Sequence, residues 1–199
     1  MRFTFGIVTV GSSRVPTIIK SIKDNVPNPE IIVVGGEPIN NVKHVPFNET
    51  EKTAWITRKK NIITQGASYE NIVYLHDYIV LTEGWYEGFL RFGDDWDVCM
   101  NVVTNLDGTR YRDWTTWDDP EVKMKRVDYD YKKTQYLYIS GAYWVAKKSF
   151  MEANPLDESL CWGQGEDVEW SKRIRDHYRY VMNPYSEVKM LKQKRVIAA

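Results

Sequence analysis

The sequence contains few cysteines and carries no net charge. Only two cysteines, Cys99 and Cys161, occur among 199 residues, and their spacing fits neither a metal-binding motif nor a dense disulfide framework. A reducing compartment is therefore expected. Lysine and arginine number 27, as do aspartate and glutamate, which gives a formal net charge of zero. This balance makes nucleic acid an unlikely partner, because binding it needs a basic face.

Long apolar runs are also missing. A membrane-spanning helix needs about 18 consecutive apolar residues, and no stretch of the sequence reaches that length. Met1 is followed by a strand-like run rather than by the charged and apolar regions of a leader peptide. We therefore expect a soluble cytoplasmic protein or a fragment of a larger one. The length predicts a single domain over residues 1–199.

What is present is an alternation of strand and helix patterns. Residues 3–10 (FTFGIVTV) and 31–34 (IIVV) are apolar and β-branched, as is typical of buried strands. Residues 15–25 between them carry apolar side chains at helical spacing, which predicts a parallel α/β sheet. Ligands of such sheets bind beyond the carboxyl ends of the strands. Thr9 and Glu37 are therefore candidate contacts for a nucleotide base or ribose, or else plain turn residues.

A late stretch, residues 160–173 (LCWGQGEDVEWSKR), combines a flexible turn with two acids. Its glycines permit a sharp turn that leaves the backbone open to a ligand. Glu166 and Asp167 then fall in the first turn of a predicted helix, where the helix dipole favours carboxylates. They could serve only to stabilise that helix. A carboxylate beside Trp162 is also a good arrangement for a base that deprotonates a sugar hydroxyl.

The run WGQGEDVEWSKR resembles the Trp-Gly-x-Gly-Glu-Asp segment of inverting glycosyltransferases with the GT-A fold. The likeness is to the galactosyltransferase, chondroitin synthase and polypeptide N-acetylgalactosaminyltransferase groups. It implies that Asp167 is the catalytic base and that Glu166 binds sugar hydroxyls. It further implies that Trp162, Gly165 and Tyr143 contact the acceptor.

The segment ITRKKNIITQGASYENIVYLHDY resembles the same families' pattern of basic residue, Asn, helix, strand and acidic motif. By this likeness Lys60 and Asn61 match an Arg-Asn pair that approaches the nucleotide, and Arg58 is an alternative donor. In the later run YLYISGAYWVA, the likeness places Gly141 next to the donor sugar.

His76 and Asp77 occupy the position of the Asp-x-Asp motif, where a hard divalent cation bridges carboxylate and diphosphate oxygens. The resemblance therefore implies Mn²⁺ or Mg²⁺ as the cofactor, with Asp77 as a ligand. This sequence departs from the pattern, because only Asp77 of the pair is acidic.

A second departure concerns the last strand, where relatives often carry a metal-binding histidine and this chain reads SEVKML. Three alternatives remain open at this point. His177 or Glu187 replaces the histidine; Asp77 and phosphates hold the metal alone; or Lys189 and Lys192 neutralise the diphosphate instead.

Residues 105–135 form a long polar segment with several aromatic residues. A loop of this length in a compact domain is usually functional or disordered, and we interpret it as a mobile cover for donor or acceptor. The alternative is a structural β-hairpin.

The resemblance as a whole predicts an α/β, Rossmann-like GT-A fold with a mixed, mostly parallel sheet flanked by helices. The expected function is transfer of a sugar from a nucleotide diphosphate sugar, typically a UDP-sugar, to a hydroxyl of a glycan or other acceptor. Because the acidic motif is incomplete, the main alternative is a nucleotide-sugar-binding or carbohydrate-binding module without activity. A nucleotidyltransferase is disfavoured because the loop after the first strand is short.

Overall fold

The computed structural model describes residues 1–194. Its strands are Phe3–Val8 (β1), Glu30–Val34 (β2), Lys43–Val45 (β3), Asn71–His76 (β4), Ile79–Leu81 (β5), Val98–Thr104 (β6), Thr115–Thr116 (β7), Leu137–Tyr138 (β8), Tyr143–Lys147 (β9) and Tyr180–Met190 (β10). Its α-helices are Val15–Asn25 (α1), Ile56–Gly66 (α2), Trp85–Phe92 (α3), Lys148–Ala153 (α4) and Glu166–Ile174 (α5).

Eight of these strands form one sheet in the order β3-β2-β1-β4-β9-β6-β10-β5. The first four are mutually parallel, as are β6 and β10, whereas β9 is antiparallel to both β4 and β6 and β5 is antiparallel to β10. Every residue of β1 and β4 is buried, because helices cover both faces of a mostly parallel sheet. The predicted fold class, mixed and mostly parallel with flanking helices, is confirmed.

Opposite faces of β1 receive different helices. Phe3 and Phe5 point to one face, where their rings lie 5.0 and 5.4 Å from the ring of Trp85 in α3. Gly6 points to the other face, against Ile63 of α2, which is so close that a Cβ on Gly6 would lie 2.2 Å from it. The missing side chain at Gly6 thus lets α2 approach the sheet.

Several element boundaries differ from the sequence expectation. The apolar run 136–146 (YLYISGAYWVA), whose pattern predicts a single strand with a bend at Gly141, is divided into β8 and β9, because the chain leaves the main sheet around Gly141. Residues 180–182 and 188–191, whose patterns predict two separate weak strands, belong to one long strand, β10, with an irregularity opposite β6 between Asn183 and Glu187. The short strand β5 was not predicted.

The segment 105–135 is packed against the sheet. Buried Asp113 accepts hydrogen bonds from the Val103 amide at 3.2 Å, from Arg110 Nε at 2.7 Å and from the Tyr129 hydroxyl at 2.8 Å. The segment also contributes β7, which pairs with β8. Its mobility remains a prediction, as does the single-domain organisation.

Across the described residues, we find no helix with the length and apolar character required to span a bilayer.

Candidate active site

Two neighbouring parallel strands, β1 and β4, end side by side and bring Thr9 and Asp77 together. The Thr9 hydroxyl donates to Asp77 Oδ2 at 2.7 Å. The same hydroxyl oxygen accepts hydrogen bonds from the amides of Gly11 at 3.0 Å and Ser12 at 3.1 Å. The turn after β1 and the turn after β4 are therefore joined at the edge where ligands of α/β sheets bind.

The acidic turn reaches the same edge from α5. Gly165 has a φ of +74°, a left-handed conformation that glycine adopts without strain, and α5 begins at Glu166. Asp167 Oδ2 accepts a hydrogen bond from the Gly141 amide at 3.0 Å, and Oδ1 accepts one from the Val168 amide at 2.9 Å. These two amides hold the Asp167 carboxylate in one orientation and leave its other lone pairs available.

Two adjoining cavities occupy this edge. The first, of about 250 Å³, is lined by His76, Tyr78, Tyr111, Arg112, Tyr138, Ser140, Gly141, Ala142, Trp162, Gly163, Gly165, Glu166, Asp167 and Lys194. The second, of about 220 Å³, is lined by Val8, Thr9, Val10, Ala54, Ile56, Lys59, His76, Asp77, Tyr78, Trp162, Lys192 and Lys194. Four residues, His76, Tyr78, Trp162 and Lys194, line both cavities. Asp167 and Asp77 therefore face two parts of one cleft, which we call the acidic cavity and the donor cavity.

Two buried charged residues, Glu166 and Lys60, lie in or next to the acidic cavity. Burial raises the pKa of Glu166, and the neighbouring Asp167 raises it further, while the Lys60 ammonium opposes both effects. Lys60 is only 1% exposed; its ammonium donates to the Gly141 carbonyl at 2.8 Å and lies 4.3 Å from the ring centroid of Trp144. Gly141 is thus held from both sides, by Lys60 at its carbonyl and by Asp167 at its amide.

The burial of Lys60 should be visible in the pH dependence of stability. Burial lowers its pKa from 10.5 to about 8, so above pH 8 the folded protein releases a proton that the unfolded chain still holds. The free energy of unfolding should therefore rise between about pH 8 and pH 9.5, a range below the ordinary pKa of tyrosine. In the Lys60→Met variant, the free energy of unfolding measured by urea denaturation should rise less over this pH range. Part of the rise should remain, because the pKa of Lys194 is also lowered to about 8.

Lys20→Met is the matched control for this measurement, because Lys20 is an exposed residue paired with Asp24 on α1. It removes the same charge and should leave the rise intact. Equal slopes in wild type and Lys60→Met would contradict a proton release by Lys60.

His76 connects the two cavities. Its side chain is 8% exposed, and its Nε2 atom has no hydrogen-bond partner within the described part of the chain. Burial and the ammonium groups of Lys60, Lys194, Lys192 and Lys59 keep its pKa well below the ordinary value. A neutral histidine with a free ring nitrogen is suited to a polar contact with a ligand.

Three further residues predicted from the sequence line cavities at this edge of the sheet. Trp162 is 62% exposed beside both cavities, and Gly165 lines the acidic cavity. Glu37 lines a third cavity of about 290 Å³ together with Thr9 and the turn after β1.

Arg58 and Asn61 do not face the cleft. The Arg58 guanidinium binds the Glu158 carboxylate at 3.0 Å. The Asn61 amide donates to the Leu156 carbonyl at 2.9 Å and to the Glu158 carboxylate at 2.9 Å, and its oxygen accepts from the Leu156 amide at 3.0 Å. Both residues thus fasten the loop before the acidic turn to α2, so the structure argues against direct nucleotide contacts. Lys59 lines the donor cavity instead.

Tyr143 does not lie at the acceptor side either. It is completely buried on β9, where its hydroxyl accepts from Trp85 Nε1 at 3.0 Å and donates to Asn101. The prediction that it contacts the acceptor disagrees with this placement, because the strand direction after Gly141 turns the side chain into the core.

His177 lies at the wrong edge of the sheet for a metal site with Asp77. Tyr180, at the start of β10, pairs with Val98 at the start of β6. Val98 and Ile72, near the start of β4, both pair with Ala146 of β9, so the starts of β4, β6 and β10 lie at one edge of the sheet. His177 therefore precedes β10 at the amino end of β4, whereas Asp77 follows its carboxyl end. This geometry argues against the predicted ligand pair.

The other predicted substitutes on β10 are also displaced. Glu187 pairs with Val102 and accepts a hydrogen bond from the Thr104 hydroxyl at 2.8 Å. Lys189 pairs with Val80 and Thr104 and lines neither cavity of the cleft. Lys192, beyond the end of the strand, does line the donor cavity.

The side chains around Asp77 are poorly suited to bind a divalent cation. Within residues 1–194, no three His, Cys, Asp or Glu side chains come together in a way that could hold a metal ion. The donor cavity instead contains Lys59, Lys192 and Lys194 around the Asp77 carboxylate. Ammonium groups repel a dication and attract an anion.

The sequence predicts that the basic stretch 189–195 could serve a phosphate and that the segment 105–135 could cover a ligand, but it does not single out Tyr78, Tyr111, Arg112 or Lys194. Residues 189–195 read KMLKQKR, and this locally basic stretch was the available signal for Lys194. Nothing in the sequence distinguishes Arg112 from the other charged residues of the 105–135 segment.

Comparison with known proteins identifies the fold. No protein-family model matches the chain, and no curated protein matches its sequence. The crystal structure of GalNAc-T7 with UDP, GalNAc and Mn²⁺ has a TM-score of 0.71 and 17% identity, over 97% of this chain and 44% of that one. S. aureus TarS 1–349 in complex with UDP-GlcNAc has a TM-score of 0.68 and 14% identity, over 98% of this chain and 60% of that one.

S. aureus TarS 1–349 in complex with UDP has a TM-score of 0.67 and 14% identity, over 96% of this chain and 61% of that one. The chain thus spans about half the length of these similar structures. At such identities the likeness is one of fold, and this chain has the GT-A glycosyltransferase fold.

Proposed function

We propose that this chain is a glycosyltransferase that moves a sugar from a nucleotide diphosphate sugar to an acceptor hydroxyl with inversion at the anomeric carbon. The observation that carries the proposal is the adjacency of the two cavities, with Asp167 on the acidic cavity and Asp77 on the donor cavity. The TarS structures hold UDP and UDP-GlcNAc, and a UDP-sugar is accordingly the proposed donor.

In this mechanism Asp167 removes the proton of the acceptor hydroxyl. The acceptor oxygen attacks the anomeric carbon while the bond from that carbon to the diphosphate oxygen breaks on the opposite face. The Asp167 carboxylate is oriented for this step by the Gly141 and Val168 amides. Positioned general bases typically contribute factors of about 10² to 10⁴.

The remaining residues of the cleft have binding roles in the proposal. Glu166 and His76 contact sugar hydroxyls, since both line the acidic cavity and His76 also lines the donor cavity. The exposed indole of Trp162 offers a flat apolar surface for the acceptor. Thr9 and Glu37 border the site proposed for the base and ribose.

The experiment is to incubate the protein with a panel of nucleotide sugars and to follow nucleotide diphosphate release without an added acceptor. Water should replace the acceptor slowly, and proton NMR should first detect the sugar anomer opposite to that of the donor. Release of the same anomer would overturn the single-displacement mechanism. Donor binding by calorimetry without any release, for every donor and with cell extracts as acceptor source, would favour a binding module.

A further inference from the structure

The segment after β10 is fixed over the side chain next to Asp77. The Leu191 amide donates to the Tyr78 carbonyl at 2.8 Å. The Lys192 ammonium lies 3.7 Å from the centroid of the Tyr78 ring, and the Lys194 ammonium lies 4.6 Å from it and donates to the Tyr78 hydroxyl at 2.6 Å. Two ammonium groups are thereby held against one aromatic ring that lines the donor cavity.

Residues 191–194 are also fixed by hydrogen bonds with residues 105–107. The Lys194 amide donates to Asn105 Oδ1 at 3.1 Å, and Gln193 Nε2 donates to Asp107 Oδ2 at 2.9 Å. Gln193 therefore points away from the cleft, while the residues on either side of it point in. Because successive side chains of this segment point in opposite directions, both Lys192 and Lys194 line the donor cavity.

The charges here are not neutralised by the protein. Neither Lys192 nor Lys194 forms a salt bridge with a carboxylate in residues 1–194, and the same is true of Arg112, which lines the adjoining acidic cavity. The Nε atom of Arg112 is buried without a hydrogen-bond partner among these residues. A buried N–H group without a partner is costly, and an anion in the cleft would accept its hydrogen bond.

The balance of charge thus favours an anion over a dication. Within the donor cavity, the unpaired Lys192 and Lys194 face a single carboxylate of the described residues, Asp77, whereas Glu166 and Asp167 lie on the acidic cavity together with Arg112. A nucleotide diphosphate carries several negative charges and many acceptor oxygens, which charge-assisted hydrogen bonds from Lys and Arg recognise.

We infer that Lys192 and Lys194 bind the donor diphosphate directly, with Arg112 as a further contact from the adjoining acidic cavity, so that donor binding needs no divalent cation. This inference rests on the proposed function for the identity of the ligand. In the transfer step the same ammonium groups would stabilise the charge that develops on the leaving diphosphate.

Isothermal titration calorimetry with UDP and with inorganic pyrophosphate tests the inference. We expect the Kd of each to be the same, within a factor of about two, in EDTA and in Mn²⁺. Lys192→Met and Lys194→Met should each weaken UDP binding by a factor of about 10 to 100, the effect of one charge-assisted hydrogen bond. Thermal denaturation should establish that both variants are folded.

Lys189→Met is the matched control, because it removes the same charge three residues away on β10 and lines neither cavity. It should bind UDP with nearly the wild-type Kd. An equal loss in all three variants would overturn a direct contact in favour of a general effect of charge.

The failure of this inference is distinguishable from the failure of the proposed function. UDP binding that appears only with Mn²⁺ overturns the inference and leaves glycosyl transfer in place. Binding in EDTA that the two lysine variants weaken supports the inference even where no nucleotide sugar is turned over. No binding of UDP or pyrophosphate in either condition overturns the inference.

Discussion

The Asp167→Asn variant should lose glycosyl transfer by a factor of about 10² to 10⁴, the usual contribution of a positioned general base. Asparagine has nearly the same shape, and its carbonyl oxygen can still accept one of the two amide hydrogen bonds that hold Asp167, from Gly141 at 3.0 Å or from Val168 at 2.9 Å. It cannot take up the acceptor proton. The loss should therefore be in kcat, with a nearly unchanged Kd for UDP measured by calorimetry.

Glu169→Gln provides a matched control on the same helix. Glu169 lies two residues further along α5, pairs with Arg173 on the surface at 2.8 Å, and lines neither cavity of the cleft. Its variant should transfer sugar at about the wild-type rate. If Asp167→Asn retained wild-type turnover, Asp167 would not be the base, and Glu166 would be the next residue to test.

A single methyl group at Gly141 should have the second largest effect. A Cβ on this residue would lie 2.9 Å from Asp167 Oδ2 and 3.3 Å from both Asp167 Cβ and Cγ. The backbone of Gly141 does not require glycine, so the Ala variant should fold and lose about 1 kcal/mol of stability. The Asp167 carboxylate must move, and a displacement of about 1 Å at a reacting group can cost about 100-fold in rate.

Gly66→Ala is the control for this prediction. Its Cβ would meet the flexible end of the Lys43 side chain at 3.3 Å, at the carboxyl end of α2. Steady-state kinetics should therefore separate the two variants, with kcat reduced only in Gly141→Ala. A normal kcat for Gly141→Ala, with an unchanged Kd, would mean that the orientation of Asp167 is not critical.

Local patterns in the sequence were sufficient for the elements that carry the cleft. The predicted bounds of α1 agree with the structure, and the strands before Thr9 and His76 are continuous apolar runs. Burial on both faces of a parallel sheet produces such runs. Gly163 and Gly165, both with positive φ, mark the turn that presents Asp167, and glycines of this kind are visible in a sequence.

Side-chain direction was not accessible in the same way. Asn61 and Lys60 are adjacent on α2, yet one fastens a loop through the Leu156 backbone and the other reaches Gly141. Which residue faces the cleft depends on the rotation of the helix against the sheet, and a shift of one residue turns a side chain by about 100°. The apolar stripe of this helix was too irregular to define that rotation.

Contacts between residues that meet only through tertiary packing could not be predicted from the sequence either. Arg112 approaches the cleft because Asp113 anchors its segment to β6, and Lys194 approaches because β10 lies beside β5. Neither relation has a signature in local composition. The fold of a distant relative would supply the strand order but not the side chain at each position.

The anchoring of residues 191–194 has a consequence for how affinity responds to the medium. Because Tyr78, Asn105 and Asp107 already hold this segment, a ligand would find the two ammonium groups in place and would lose little conformational entropy in ordering them. Their mutual repulsion would be relieved by the first anion of any kind that enters. Ordinary cellular phosphate and chloride would then compete for the same position, and ionic strength, more than metal supply, would regulate occupancy of the cleft.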